Sequence, residues 1–109
     1  MSEWNVKLSP EFKQEVRDIY SYIANTLLVP ETALKQIDRI LKAVESLDEM
    51  PQRNPLYERE PWKTRGLRKL VVDNFVVFYL INEKQKDVVI FHVFYGGRNI
   101  TELLEELNK

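Results

Sequence analysis

The sequence predicts an α+β domain of order β-α-α-β-β-β-α, a helical hairpin packed on a small antiparallel sheet of about four strands. Three observations lead there. Residues 10–27 and 30–47 repeat apolar side chains every three or four positions, the period of a helix with one buried stripe. After Leu67 the runs LRKLVV, FVVFYLI and VVIFHVFY read as strands, separated by the turn-forming stretches Asp73-Asn74 and NEKQKD. Near the N-terminus Trp4, Val6 and Leu8 alternate with polar residues, the period of two that marks a strand with one buried face.

The first strand stops at Ser9-Pro10, where serine can cap a helix and proline can occupy its first position without losing a needed N–H. Phe12, Val16, Ile19, Tyr20, Ile23 and Leu27 then form the inward stripe of the first helix. Pro30 begins the second, in which Leu34, Ile37, Leu41 and Val44 line one side, and Pro51 closes it. So short a connection makes the two helices antiparallel neighbours. Residues 51–66 hold three prolines and no periodicity, which predicts a long loop, pinned to the body by Leu56, Tyr57 and Trp62. The last two strands are apolar on both faces, as expected of strands covered on both sides. In the tail, Ile100, Leu103, Leu104 and Leu107 fall at helical spacing behind Asn99 or Thr101 as cap, and the pattern leaves open whether this helix docks on the sheet or awaits a partner.

At 109 residues, 44% of them hydrophobic and twelve of them aromatic, the chain suits one domain, residues 1–109, with a modest core. The absence of cysteine excludes disulfides and thiolate metal sites, and a single histidine cannot build a zinc centre, so neither metal nor cofactor is expected. With no secretory layout at the N-terminus and no apolar run near the roughly 20 residues that span a bilayer, a cytoplasmic protein without membrane contact is expected. A net charge of −1 argues against holding nucleic acid by bulk electrostatics. The distribution is uneven, however. Residues 51–70 carry six cations, Arg53, Arg59, Lys63, Arg65, Arg68 and Lys69, against two anions, either a solvated loop or a patch facing an anion.

If Asp73-Asn74 is a two-residue turn, Arg68 stands opposite Tyr79, and directly opposed residues share a sheet face. If Glu83 to Lys86 form the next turn, Tyr79 opposes Ile90 and Val77 opposes His92, so Arg68, Tyr79 and His92 share one face. Arg98, in HVFYGGRNI, has the same parity if the strand continues through Gly96 and Gly97. Two cations, a phenol and an imidazole on one surface could grip a phosphodiester and move a proton. The plainer alternative makes His92 and Tyr79 hydrogen-bonded core residues.

The layout, together with LSPEFKQEVRDIYSYI, the Met50-Pro51 break, RKLVVDNFVVFYLI and HVFYGGRNI, resembles the RelE/ParE toxin superfamily over nearly the whole chain. The resemblance implies a small toxin of a type II, plasmid-stabilisation-type toxin–antitoxin module, neutralised by a co-encoded antitoxin that wraps across the sheet and its grooves. It also implies two distinct activities. RelE-like members are metal-independent endoribonucleases that cleave messenger RNA in the ribosomal A site, whereas ParE-like members poison DNA gyrase without chemistry of their own. Carried across, Arg68 and Lys69 match the basic stretch before the central hairpin, and Arg98 matches the arginine closing the last strand. The chain departs from the ribonuclease pattern at Val76, where such members often have arginine, and in ITELLEELNK, which lacks their C-terminal tyrosine or histidine. The expectation is cleavage of messenger RNA on the ribosome, with Arg68 and Arg98 as phosphate contacts, Lys69 as auxiliary cation, and Tyr79 or His92 as proton carrier. Gyrase inhibition is the rival, and a catalytically silent partner-binding scaffold the third reading.

Overall fold

A computed structural model describes residues 3–107. Met1, Ser2, Asn108, Lys109 and the side chain of Leu107, the last apolar position predicted for the C-terminal helix, lie outside the described residues. The elements run β1 (Asn5–Leu8), α1 (Pro10–Ser21), α2 (Pro30–Glu45), α3 (Trp62–Arg65), β2 (Arg68–Val72), β3 (Phe75–Asn82), β4 (Asp87–Tyr95) and α4 (Ile100–Leu107). No helix among the described residues is long and apolar enough to cross a membrane.

Ser9 begins α1 as predicted: its hydroxyl accepts from the Phe12 amide at 3.0 Å and donates to the Phe91 carbonyl at 2.8 Å, so one side chain caps the helix and ties it to β4. The predicted first helix stays α-helical only to Ser21. Tyr22–Thr26 widen into a π-turn, and Leu28 closes the hairpin at φ 59, a left-handed conformation usually given to glycine. Tyr22, Leu27, Leu28, Val29 and Leu34 are all exposed at this tip.

The sheet order is β1-β4-β3-β2. The three C-terminal strands are antiparallel as predicted, but β1 lies parallel to β4, Asn5 to Leu8 against Asp87 to Ile90, so the sheet is mixed. The physical reason is the crossover: α1 and α2 carry the chain over one face between β1 and β2, and a helical crossover lets neighbouring strands run parallel. Beneath the helices Phe12, Ile40, Val44, Val77, Val88 and Ile90 close the inner core, all but Val44 fully inaccessible to solvent. Removing any one of these large side chains from water contributes roughly 1.5–3 kcal/mol.

The outer face carries a second cluster of Tyr57, Trp62, Leu67, Phe78, Phe94 and Leu104, with Ile100 and Leu103 packed against it. The C-terminal helix therefore docks on the sheet, with Asn99 as its cap, its Oδ1 accepting from the Glu102 amide at 3.3 Å. A bond of 2.8 Å between the Tyr57 and Thr101 hydroxyls joins α4 to the long loop. That loop is more ordered than predicted. It contains a 3-10 turn at Pro51–Arg53, a bridge from Leu56 to Arg68, and α3, which ends at Gly66 with φ 88 while Gly66 and Leu67 donate back to Lys63 and Trp62.

Candidate functional site

Arg68 stands opposite Tyr79 on the inner face, the predicted register. Both side chains bond to their own loop. Tyr79 is buried, and its hydroxyl donates to the Pro51 carbonyl at 2.7 Å. Burial pushes the phenol's pKa up, partly offset by the Asn54 side chain and by the Arg68 and Arg53 cations. The Arg68 guanidinium donates to the carbonyls of Asn54 at 2.6 Å and Gln52 at 3.2 Å. Phenol and guanidinium together hold residues 51–54 against the sheet. Arg53, another cation of the basic stretch, turns back onto the end of α2, donating to the carbonyls of Glu49 and Ser46 and to the Ser46 hydroxyl.

Lys69 points to the outer face and pairs with Glu58 at 3.0 Å, holding that carboxyl below its ordinary pKa. His92 does not join Arg68 and Tyr79. The β3–β4 register pairs Tyr79 with Ile90 as predicted, but Phe78, not Val77, with His92. One extra residue, Phe91, is accommodated as a bulge and reverses the expected alternation. On the outer face the imidazole stacks on Phe94, with centroids 5.3 Å apart and 15° between the planes. It also borders a cleft of about 250 Å³ lined in part by Trp62, Leu67, Phe78 and Leu104. Its Nδ1 lies 2.9 Å from Oε2 of Glu15, whose Oε1 accepts the Val93 amide at 2.9 Å. Since β1 reaches only as far as Ile90, Ser9 and Glu15 take over the edge of β4 from there. The histidine serves this edge clamp.

Arg98 is different. Beyond Tyr95 the chain turns, with the Gly96 amide donating to Asn74 at 2.7 Å and the Arg98 amide to Tyr95 at 3.1 Å. The guanidinium is exposed and makes no hydrogen bond or ion pair with any described residue. Beside it stands Tyr95, 51% exposed, a residue the sequence reading did not single out. Its signal was available: an aromatic at a strand exit immediately before two glycines.

Arg68 and Arg98 are not presented together. Arg68 is level with Tyr79 and Tyr95 with Phe75, four residues further along β3, which is roughly 13 Å along the sheet and about 10 Å across the two strand spacings. Val76, where a ribonuclease would place a cation, packs into the outer apolar cluster. Of the five candidate side chains, Arg68, Lys69, Tyr79 and His92 bond to other residues of their own fold. The site that remains is a solvent-facing tyrosine and arginine at one end of the sheet, suited to gripping an anionic partner rather than to transferring a proton along a chain of fixed groups.

A mixed four-stranded sheet backed by a helical hairpin, with an arginine closing its last strand, is the fold of the RelE/ParE toxin superfamily, and the chain is a type II toxin–antitoxin toxin of that fold. Residues 6–100 match the family described as ParE toxin of type II toxin-antitoxin system, parDE, and the chain belongs to that family. Among solved structures, it is similar to the chromosomal ParDE toxin–antitoxin system from P. aeruginosa, at 20% identity and TM-score 0.70, covering 87% of this chain and 98% of that one. It is also similar to the toxin–antitoxin complex RelBE2 from Mycobacterium tuberculosis, at 15% identity and TM-score 0.61, covering 85% and 98%. The archaeal RelE–RelB complex from Pyrococcus horikoshii aligns at 16% identity and TM-score 0.60, covering 88% and 98%. No curated protein sequence matches the chain.

Proposed function

We propose that this toxin arrests growth in the cytoplasm by binding DNA gyrase, without catalysis of its own, and is neutralised by a co-encoded antitoxin. The observation that carries the reading is the fate of the ribonuclease constellation. Arg68 and Tyr79 hold the 51–54 loop, Lys69 is paired with Glu58, His92 with Glu15, and Val76 is apolar. Cleavage of a phosphodiester by a ribose hydroxyl needs a base for that hydroxyl and a cation at the phosphorane within reach of one reacting centre. Among these candidates Arg98 alone has no partner among the described residues, and it lies beyond Tyr95, which is level with Phe75, four residues along β3 from Tyr79, while His92 is on the outer face. A toxin that acts by occupying its target requires only a presented contact surface. The match to the ParE family points the same way, and the toxin–antitoxin complexes among the similar solved structures support the partner.

The test is to induce the chain alone in cells and to measure gyrase–DNA cleavage complexes and codon-phased transcript ends in the same culture. Accumulating gyrase complexes with intact transcripts is the expected outcome. Codon-phased cuts without gyrase complexes would restore the ribosomal reading and overturn this one.

A further inference from the structure

Gly97 does not have the left-handed φ that favours glycine; among the described residues only Gly66 shows that among the glycines. Backbone geometry therefore leaves position 97 open to other residues. What a side chain there would disturb is a neighbouring ring. A Cβ at 97 would overlap Cε2 of Tyr95 and stand only 3.1 Å from Cζ and 3.2 Å from Cδ2 of the same ring. The Cε2 edge of the ring abuts the glycine, and the ring also meets Phe75 edge-on, with centroids 6.0 Å apart and 70° between planes. In contact with both, it still leaves half of its surface in solvent, and its hydroxyl has no partner among the described residues.

A core residue at the end of β4 would be covered, whereas this half-exposed ring keeps its present position only while residue 97 carries no Cβ. We propose that Tyr95 is a contact residue for the toxin's protein target, acting as one unit with Arg98, and that Gly97 is the seat that positions the tyrosine ring. The inference rests on the reading of this chain as a toxin that acts by binding its target, and deepens it. Three features support it. Tyrosine and arginine are the residue types in which the binding energy of protein interfaces is most often concentrated. Both polar ends, the Tyr95 hydroxyl and the Arg98 guanidinium, have no partner among the described residues. The turn is fixed before binding, by the Gly96 amide on Asn74 and the Arg98 amide on Tyr95, so little ordering remains to be done at the interface. The surface that fits is an anionic protein patch with an apolar slot beside the carboxylate, the slot taking the ring and the carboxylate taking the guanidinium.

The experiment titrates the purified full-length chain and four variants, Tyr95→Ser, Gly97→Ala, the double variant and Arg98→Ala, against gyrase supercoiling of plasmid DNA, with a thermal melt of each. Tyr95→Ser and Gly97→Ala are each expected to raise the half-inhibitory concentration roughly tenfold or more, as loss of an interface anchor does. The double variant is expected to be no weaker than Tyr95→Ser alone, because without a ring there is nothing for the alanine to displace. If Gly97→Ala alone loses its fold, the double variant regains it for the same reason, and that rescue also supports the seat. Arg98→Ala losing inhibition while Tyr95→Ser and Gly97→Ala stay within about twofold of the parent overturns this inference and leaves the gyrase reading intact. If the parent does not inhibit gyrase, that reading falls instead, and the variants are scored for growth arrest: retained arrest by Tyr95→Ser overturns the inference, and lost arrest with an unchanged melt supports it.

Discussion

Glu15 of α1 and His92 of β4 meet at 2.9 Å across the sheet edge that β1 leaves uncovered, with the same carboxylate accepting the Val93 amide. Both oxygens of Glu15 are thereby fixed. Glu15→Ala leaves a half-buried imidazole nitrogen and a strand-edge amide without partners, a loss of about 1–3 kcal/mol in a urea unfolding curve. Glu15→Gln keeps one acceptor and one donor in place and recovers part of it. A carboxylate-independent melt in both variants would show that the clamp does not hold the edge.

His92→Gln, by contrast, tests chemistry. With the ring on the outer face and bonded to Glu15, growth arrest by the induced variant is expected to match the parent after correction for protein level. Loss of arrest at unchanged stability would return the histidine to the mechanism.

Tyr79 ties the sheet to Pro51 from a buried position, and burial raises its pKa above the ordinary value of 10.0. The sign follows from proton counts. Above pH 10 the unfolded chain releases this proton while the folded chain keeps it, so the unfolded state binds fewer protons and stability falls as pH rises. Below pH 10 the contribution is constant. Unfolding free energy measured from pH 8 to 11 is expected to decline more steeply in the parent than in Tyr79→Phe, whose curve starts lower by about 1 kcal/mol for the lost hydrogen bond. Equal alkaline slopes would contradict the assignment.

Arg68→Ala frees the carbonyls of Gln52 and Asn54 and should loosen the loop before it affects the sheet. Faster hydrogen exchange at Tyr57 and Lys69, whose amides bridge loop and strand, is the expected readout, with about 1–2 kcal/mol lost overall. Any fall in growth arrest should scale with that loss. Abolished arrest at unchanged exchange would mark Arg68 as a direct contact.

Leu28 is left-handed at φ 59 and 77% exposed, so the structure derives little from its side chain. Leu28→Asn is expected to stabilise the chain by roughly 0.5–1 kcal/mol, since asparagine tolerates this conformation better than leucine, and to raise its solubility. A destabilised variant would show that the leucine is packed.

Most of the architecture was legible because it is written in periodicity and punctuation. Ser9-Pro10, Pro30 and Asp73-Asn74 each mark a boundary that the chain obeys, and the four-residue turn from Glu83 to Lys86 fixed half of the β3–β4 register. The remainder depends on choices that local sequence does not encode. The bulge at Phe91 is one: Val-Val-Ile-Phe-His-Val carries no glycine to announce it, and the partners that fix that edge, Ser9 and Glu15, lie far off in the chain. The parallel placement of β1 is another, since a strand's pattern says that one face is buried and not which neighbour it joins. Arginine is the third case. Arg53, Arg68 and Arg98 look alike in the sequence, yet the side chains of the first two donate to backbone carbonyls of their own fold and that of the last to none among the described residues.

The parallel pairing of β1 with β4 also sets a clock. The first strand to leave the ribosome has no other neighbour in the sheet, so Asn5–Leu8 must wait until residues 87–90 have been synthesised, an interval of roughly 4 to 16 s at about 5–20 residues per second. Until then the nascent polypeptide has no closed sheet, and Arg98 has not yet been added. A translation product interrupted anywhere before β4 therefore lacks both the strand that β1 pairs with and the exposed Tyr95–Arg98 end of the sheet.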